Sequence, residues 1–314
     1  MPNRQAADQN YLWQGFLLFI VCLVAIQLVS CSPFPVQSTA QLPQVTPNLP
    51  SPTNSMVVPS PTETPIQSLT VKPATASPTP ECTGWLGQVD EISLDTKRMY
   101  EPFKFRVYLP PCYALYSKQS FPVLYLFHGM FYSDDQWARL GVVEIASHLI
   151  ASGEISAFII VLPYDPNARE PAKTPFDEIF IEEVVPYLDK NYRTIPEAPF
   201  REVGGLSRGS GWAIHFGLTH PDLFGVIGAH SPIIFWEDAP VIGKWLDSIT
   251  RTDLPRLYLD IGEQDPNTDS VQLLEELLKD RNIPYEMHLN PGRHDEPYWR
   301  SQVENYIRWY AAGW

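Results

Sequence analysis

The chain has 314 residues, 44% of them hydrophobic and 12% aromatic, enough for one substantial core and thin for two. Its net charge of −14 argues against a nucleic-acid partner, because binding phosphates needs a basic surface.

The N-terminus carries an apolar run from Phe16 to Val29, broken only by Gln27, after a short polar start with Arg4 and Asp8. A run of this length ahead of small residues reads as a secretory signal or as a short uncleaved anchor helix. It ends in Leu28-Val29-Ser30-Cys31, similar to the bacterial lipobox, in which the cysteine becomes the lipidated first residue of the mature chain. Residues 1–31 are therefore expected to be a lipoprotein signal peptide that leaves the protein lipid-anchored to a membrane through Cys31. On either reading the remainder lies outside the cytoplasm, at the bacterial cell surface or in the periplasm. Residues 32–80 are rich in Pro, Ser and Thr and carry two charges, Glu63 and Lys72. Such a segment cannot bury enough apolar surface to order itself, so a disordered spacer is expected there.

The folded domain is expected over residues 81–314. Its two cysteines, Cys82 and Cys112, suit a disulfide in an oxidising compartment, with two free thiols as the alternative. Gln88–Arg98 and Phe103–Leu109 read as an antiparallel strand pair. Buried-strand runs follow at Phe121–Phe127, Ala157–Leu162, Glu202–Leu206, Gly225–Ala229, Arg256–Ile261 and Tyr285–Leu289. Helical periodicity lies between them, as in Phe176–Asn191 and Ser270–Asp280. This alternation predicts an α/β fold: about eight strands in a mainly parallel sheet, helices on both faces and no separate cap domain.

Functional groups in such sheets gather at the carboxyl ends of the strands. One strand ends in Gly204-Gly205-Leu206-Ser207-Arg208-Gly209-Ser210-Gly211, which contains the G-x-S-x-G pattern of a nucleophile elbow. A serine stands proud of the sheet only if the backbone turns so tightly that side chains at positions 205 and 209 would clash. A serine hydroxyl also needs a base within hydrogen-bond reach. Of seven histidines, His148, His215 and His220 read as helical, and His288 sits inside a strand run as a core residue. His294 lies in the loop after the last strand, ahead of a helix from about Pro297, and is the expected base. Its carboxylate partner is Asp265, in the loop after Arg256–Ile261, with Asp260 as the alternative. The oxyanion of acyl transfer would be held by the Arg208 N–H and the Met130 N–H, each worth about 3–4 kcal/mol. The Arg208 side chain either binds an acidic substrate group or forms an ion pair.

The segments "FHGMFYSDDQW" (127–137), "FIEEVVPYLDKNYRT" (180–194), "VGGLSRGSGWA" (203–213), "DIGEQD" (260–265) and "GRHDEPYW" (292–299) resemble an esterase family. It includes feruloyl esterases, S-formylglutathione hydrolases, enterochelin esterases and antigen-85 mycolyltransferases. The resemblance implies an α/β-hydrolase fold, triad roles for Ser207, Asp265 and His294, and oxyanion donors at Met130 and Arg208. It adds Trp137 behind the site, where an ordinary core aromatic is the alternative. Together with His128, His230 and Trp236, Trp137 is a candidate lining residue of the substrate pocket. The expected activity is serine carboxylic-ester hydrolysis through an acyl-enzyme, without metal or organic cofactor. Acylated polysaccharide of the feruloyl or acetyl kind is the first-ranked substrate. Siderophore esters and acyl transfer to a sugar come next. A non-catalytic surface binding module on the same fold is the rival of another class.

Overall fold

Eight strands form among the described residues: β1 (Gln88–Leu94), β2 (Phe103–Leu109), β3 (Val123–Phe127), β4 (Ile159–Pro163), β5 (Arg201–Leu206), β6 (Val226–His230), β7 (Arg256–Gly262) and β8 (Glu286–Asn290); β-branched and aromatic side chains dominate β2, β3 and β4. The computed structural model describes Cys82 and residues 84–314. The expected signal segment with Cys31 and the expected spacer lie outside the described residues. The strands make one sheet in the order β1-β2-β4-β3-β5-β6-β7-β8. β1–β2 and β2–β4 pair antiparallel, and every other pairing is parallel.

Helices α1 (Gln136–Arg139) and α2 (Val142–Ala151) connect β3 to β4, and α3 (Phe176–Ile179) and α4 (Val185–Asn191) connect β4 to β5. The later crossovers are α5 (Arg208–Thr219), α6 (Ile242–Ser248) and α7 (Thr268–Asp280), and α8 (Glu296–Ala311) follows β8. Alternation along the strands sends side chains to two separate cores. Val123, Tyr125 and Phe127 pack with α3 to α7, whereas Leu124 and Leu126 pack with α1, α2 and α8. Among the described residues, no helix is long and apolar enough to cross a membrane.

Several element boundaries differ from the sequence expectations for local physical reasons. β3 begins at Val123, not Phe121, because Pro122 has no N–H for the ladder. β1 stops at Leu94, and Arg98 instead pairs with Glu178, Glu182 and Glu183. The run read as one helix over Phe176–Asn191 contains a π-helical turn at Phe180–Val184 between α3 and α4. Pro186 cannot donate to the preceding turn, and a wider turn accommodates the lost bond. His288 is not a core residue. β8 is an edge strand, and the His288 side chain is 44% exposed and stacks on Tyr258. Cys82 and Cys112 are disulfide-bonded, with Cα atoms 5.5 Å apart.

Helix α5 is buried along nearly its whole length, and His215 within it faces two carboxylates. His215 Nδ1 lies 2.9 Å from Asp238 Oδ2, and Nε2 lies 3.8 Å from Asp177 Oδ2. Burial opposes protonation of the ring, but the two carboxylates outweigh it and push the imidazole from 6.5 up to about 9. The folded protein therefore keeps a proton that the unfolded chain releases above its ordinary value. This stabilisation is fully present below about pH 6.5 and lost as pH rises through about 9. Thermal unfolding followed by circular dichroism should show the midpoint falling across that window. In His215→Gln the fall should be markedly smaller; an unchanged slope would contradict the assignment.

Candidate active site

Ser207 joins β5 to α5 with φ 52° and ψ −116°, a conformation that costs a non-glycine residue about 1–3 kcal/mol. The surroundings hold it there. A Cβ on Gly205 would collide with the backbone of Gly209, and one on Gly209 would collide with the Phe127 carbonyl. Only glycine permits this approach of β5, α5 and the end of β3. The Ser207 N–H donates to the His230 carbonyl at 2.9 Å, which fixes the turn to the neighbouring strand.

The loop after β8 brings His294 over this serine. His294 Nε2 lies 2.8 Å from Ser207 Oγ, and Nδ1 lies 2.8 Å from Asp265 Oδ2. Asp265 Oδ1 accepts the Asn267 N–H at 2.9 Å. Two backbone bonds, Glu263 N–H to Asn290 O at 2.8 Å and Gln264 N–H to Gly292 O at 2.9 Å, hold the loops carrying the acid and the imidazole together. The Trp299 ring meets His294 edge to face at 5.1 Å. Burial of Asp265 favours its neutral form, but hydrogen bonds from His294, the Asn267 N–H and Ser231 outweigh this and hold the carboxyl below its ordinary value. An ionised Asp265 accepts the Nδ1 proton of His294, which leaves the Nε2 lone pair facing the serine hydroxyl.

Asp260, the alternative acid, is fully buried and engaged elsewhere. Its Oδ1 lies 2.6 Å from His230 Nδ1, and its Oδ2 accepts the hydroxyls of Tyr298 at 2.6 Å and Tyr306 at 2.7 Å. His230 Nε2 meets the Tyr310 hydroxyl at 2.9 Å. His230 is 0% exposed, so it does not line a pocket; the strand-end position that suggested a pocket wall instead faces the α8 core. Trp137 is likewise buried at 2% exposure and donates its Nε1–H to the Phe127 carbonyl at 3.0 Å. It packs beneath the site and does not line it.

A family profile described as "Putative esterase" matches residues 96–310. The chain belongs to this esterase family. A curated "Endo-1,4-beta-xylanase/feruloyl esterase" from Xylanibacter ruminicola is 29% identical over 153 residues, covering 45% of this chain. The match spans only 21% of that relative's length. An uncharacterised protein, YjcH of Bacillus subtilis, is 26% identical over 243 residues, covering 69% of this chain and 95% of that protein. Among solved structures, a "ferulic acid esterase" superposes with a TM-score of 0.66 at 24% identity over 73% of this chain and 100% of that one. The S-formylglutathione hydrolase (FrmB) of Staphylococcus aureus superposes with a TM-score of 0.56 at 20% identity, covering 71% and 99% of the two chains. The fold is that of the α/β-hydrolases.

In this esterase the segment after β3 is fixed from behind the site. The Gly129 N–H donates to Gln136 Oε1 at 2.8 Å, and His128 Nε2 accepts the Asp165 N–H at 2.9 Å. His128 Nδ1 lies 2.8 Å from the Gly129 carbonyl, so the ring is neutral with its proton on Nδ1. Burial, which lowers its tendency to protonate, agrees. Neither the Met130 N–H nor the Arg208 N–H meets an acceptor among the described residues. The Arg208 guanidinium is buried and paired: Nη2 lies 2.9 Å from Asp165 Oδ2 and also bonds the Arg169 carbonyl. Trp212 Nε1–H donates to the same carboxylate oxygen at 2.9 Å. Of the two roles left open by the sequence, the ion pair forms. Beside it lies a cavity of about 200 Å³ whose walls include His128, Met130, Phe131, Tyr132 and Arg208. Trp236, 85% exposed, is not part of that wall.

Sequence reasoning passed over Asp165, whose partners Arg208 and Trp212 lie far along the chain, Gln136, which accepts the Gly129 N–H, and Asn267, whose side-chain nitrogen lies 3.3 Å from His294 Nδ1. The two aspartates differ in their partners: Asp265 meets His294, and Asp260 accepts from two buried tyrosines. Asp260→Asn removes an acceptor from two buried tyrosine hydroxyls and should destabilise the esterase by about 2–3 kcal/mol in urea unfolding. A change below about 0.5 kcal/mol would refute this structural role.

Proposed function

We propose that the protein is an exported serine carboxylic-ester hydrolase in which Ser207, His294 and Asp265 act as a triad. The observation that carries the reading is the unbroken chain from Ser207 Oγ through His294 to Asp265, with both links at 2.8 Å. Ser207 Oγ attacks the ester carbonyl while His294 Nε2 takes its proton. The carbonyl oxygen becomes an oxyanion held by the Met130 and Arg208 N–H groups, at the positive end of α5. His294 returns the proton to the departing alcohol, leaving an acyl-enzyme on Ser207. Water, deprotonated by the same imidazole, then releases the acid and restores the serine hydroxyl. Asp265 keeps the proton on Nδ1 and stabilises the imidazolium.

The substrate class is an acylated polysaccharide bearing feruloyl or acetyl groups. The Xylanibacter relative, whose name couples a xylanase with a feruloyl esterase, supports this ranking. The organisation is a lipoprotein signal over 1–31 with Cys31 as the lipidated residue, a spacer over 32–80 and the esterase domain over 81–314. The Cys82–Cys112 disulfide supports an oxidising compartment outside the cytoplasm.

Hydrolysis of p-nitrophenyl acetate tests the chemistry. Ser207→Ala should abolish acyl-enzyme turnover, and Asp265→Asn should lower kcat by roughly 10⁴-fold with little effect on folding. Retention of wild-type turnover by either variant would reject the triad. Mass spectrometry of the membrane-extracted protein should find an acylated Cys31 as its first residue; an intact Met1 terminus would contradict the lipoprotein reading.

A further inference from the structure

We infer that the esterase carries a second subsite that binds a carboxylate-bearing sugar of its substrate. A cavity of about 480 Å³ opens between the β1–β2 turn and the loop after β4. Its wall includes Lys104, Arg169 and Lys173 against the single carboxylate of Glu101, on a chain whose net charge is −14. Lys173 is drawn to Glu237 at 3.2 Å. Lys104 and Arg169 form no ion pair among the described residues, so their charge is available to a ligand. Tyr164 adds an aromatic residue to the wall, and Tyr100, which borders the opening, is exposed to solvent. A concave, largely apolar surface with a few charged groups is the usual composition of a small-ligand site.

The cavity adjoins the smaller one beside Arg208, the residue that follows Ser207. Tyr164, Pro166 and Asn167 line it on one side and line the 200 Å³ cavity beside Arg208 on the other. One segment therefore separates the two, and the Arg208 guanidinium pins that segment through Asp165 and the Arg169 carbonyl. A polysaccharide can thus present an acyl ester at Ser207 while a neighbouring sugar enters the second cavity. Cations lacking carboxylate partners favour a uronate there over a neutral hexose. The identity of the sugar rests on the reading of the protein as an esterase of acylated polysaccharide; the anion preference rests on the cavity.

Calorimetric titration of the full-length protein with methyl β-D-glucuronoside and methyl β-D-glucoside tests the subsite without turnover. Exposed charge pairs are worth a few-fold each, so two cations should give about a tenfold preference for the glucuronoside. The preference should weaken in high salt and disappear in the double variant Lys104→Gln/Arg169→Gln. Equal affinity for the two glycosides, no binding of the glucuronoside, or a preference that survives the double substitution would overturn the proposal. Hydrolysis of p-nitrophenyl acetate by the same preparation is read separately. A protein that binds the glucuronoside but leaves this ester intact keeps the subsite and loses the esterase reading.

Discussion

The backbone at Ser207 is forced into a conformation that an isolated chain would abandon, and the surrounding packing is arranged to keep it there. The left-handed φ brings the end of β5 back against the first turn of α5, so closely that Gly205 and Gly209 have no space for a Cβ. The same turn points the hydroxyl away from the sheet and leaves the Arg208 N–H unpaired at the start of a helix. A relaxed backbone would remove the exposure of the serine hydroxyl and this donor together. The local strain of about 1–3 kcal/mol is small beside the burial of α5 and the parallel strands that flank it.

Beneath that turn lies a buried polar cluster that bears on its position. Ser207 donates to the carbonyl of His230, whose ring stacks on Tyr306 at 3.7 Å and whose nitrogens meet Asp260 and Tyr310. Tyr310 reaches this place because Gly204 and Gly228, paired across β5 and β6, leave room for its hydroxyl. Helix α8 is thereby docked on the sheet, and the loop entering it carries His294. A second, charged tie on the opposite face, Arg208 to Asp165, secures the wall of the small cavity. The two networks fix Ser207, the His294 imidazole and the neighbouring wall from different sides, with buried groups satisfied by one another as a low-dielectric interior demands.

Much of this was legible in the sequence because it is written locally. Strand runs show in continuous apolar stretches, and a serine between glycines at a strand end signals its own turn. His294 and Asp265 follow strand ends in the order expected of such a sheet. What was not legible depends on partners distant in the chain. His230 sits at a strand end as Ser207 does, yet the register of β6 points it toward α8. Trp137 reads equally as a pocket wall or a core residue until Phe127 supplies its acceptor. The π-turn before Pro186 required knowing which backbone bond the proline removes. Asp165 gave no sign at all, since its meaning comes from Arg208 and Trp212, more than forty residues away.

In the proposed function, the hydroxyl of one strained serine, aligned with one imidazole, supplies the reacting oxygen of this protein. Labelling with a fluorophosphonate followed by peptide mapping addresses it most directly, because the reagent phosphonylates only a serine that is already activated. A single adduct on Ser207, formed by native protein and absent after unfolding, is the expected result. An adduct at another residue, or none on a folded protein, would contradict the account.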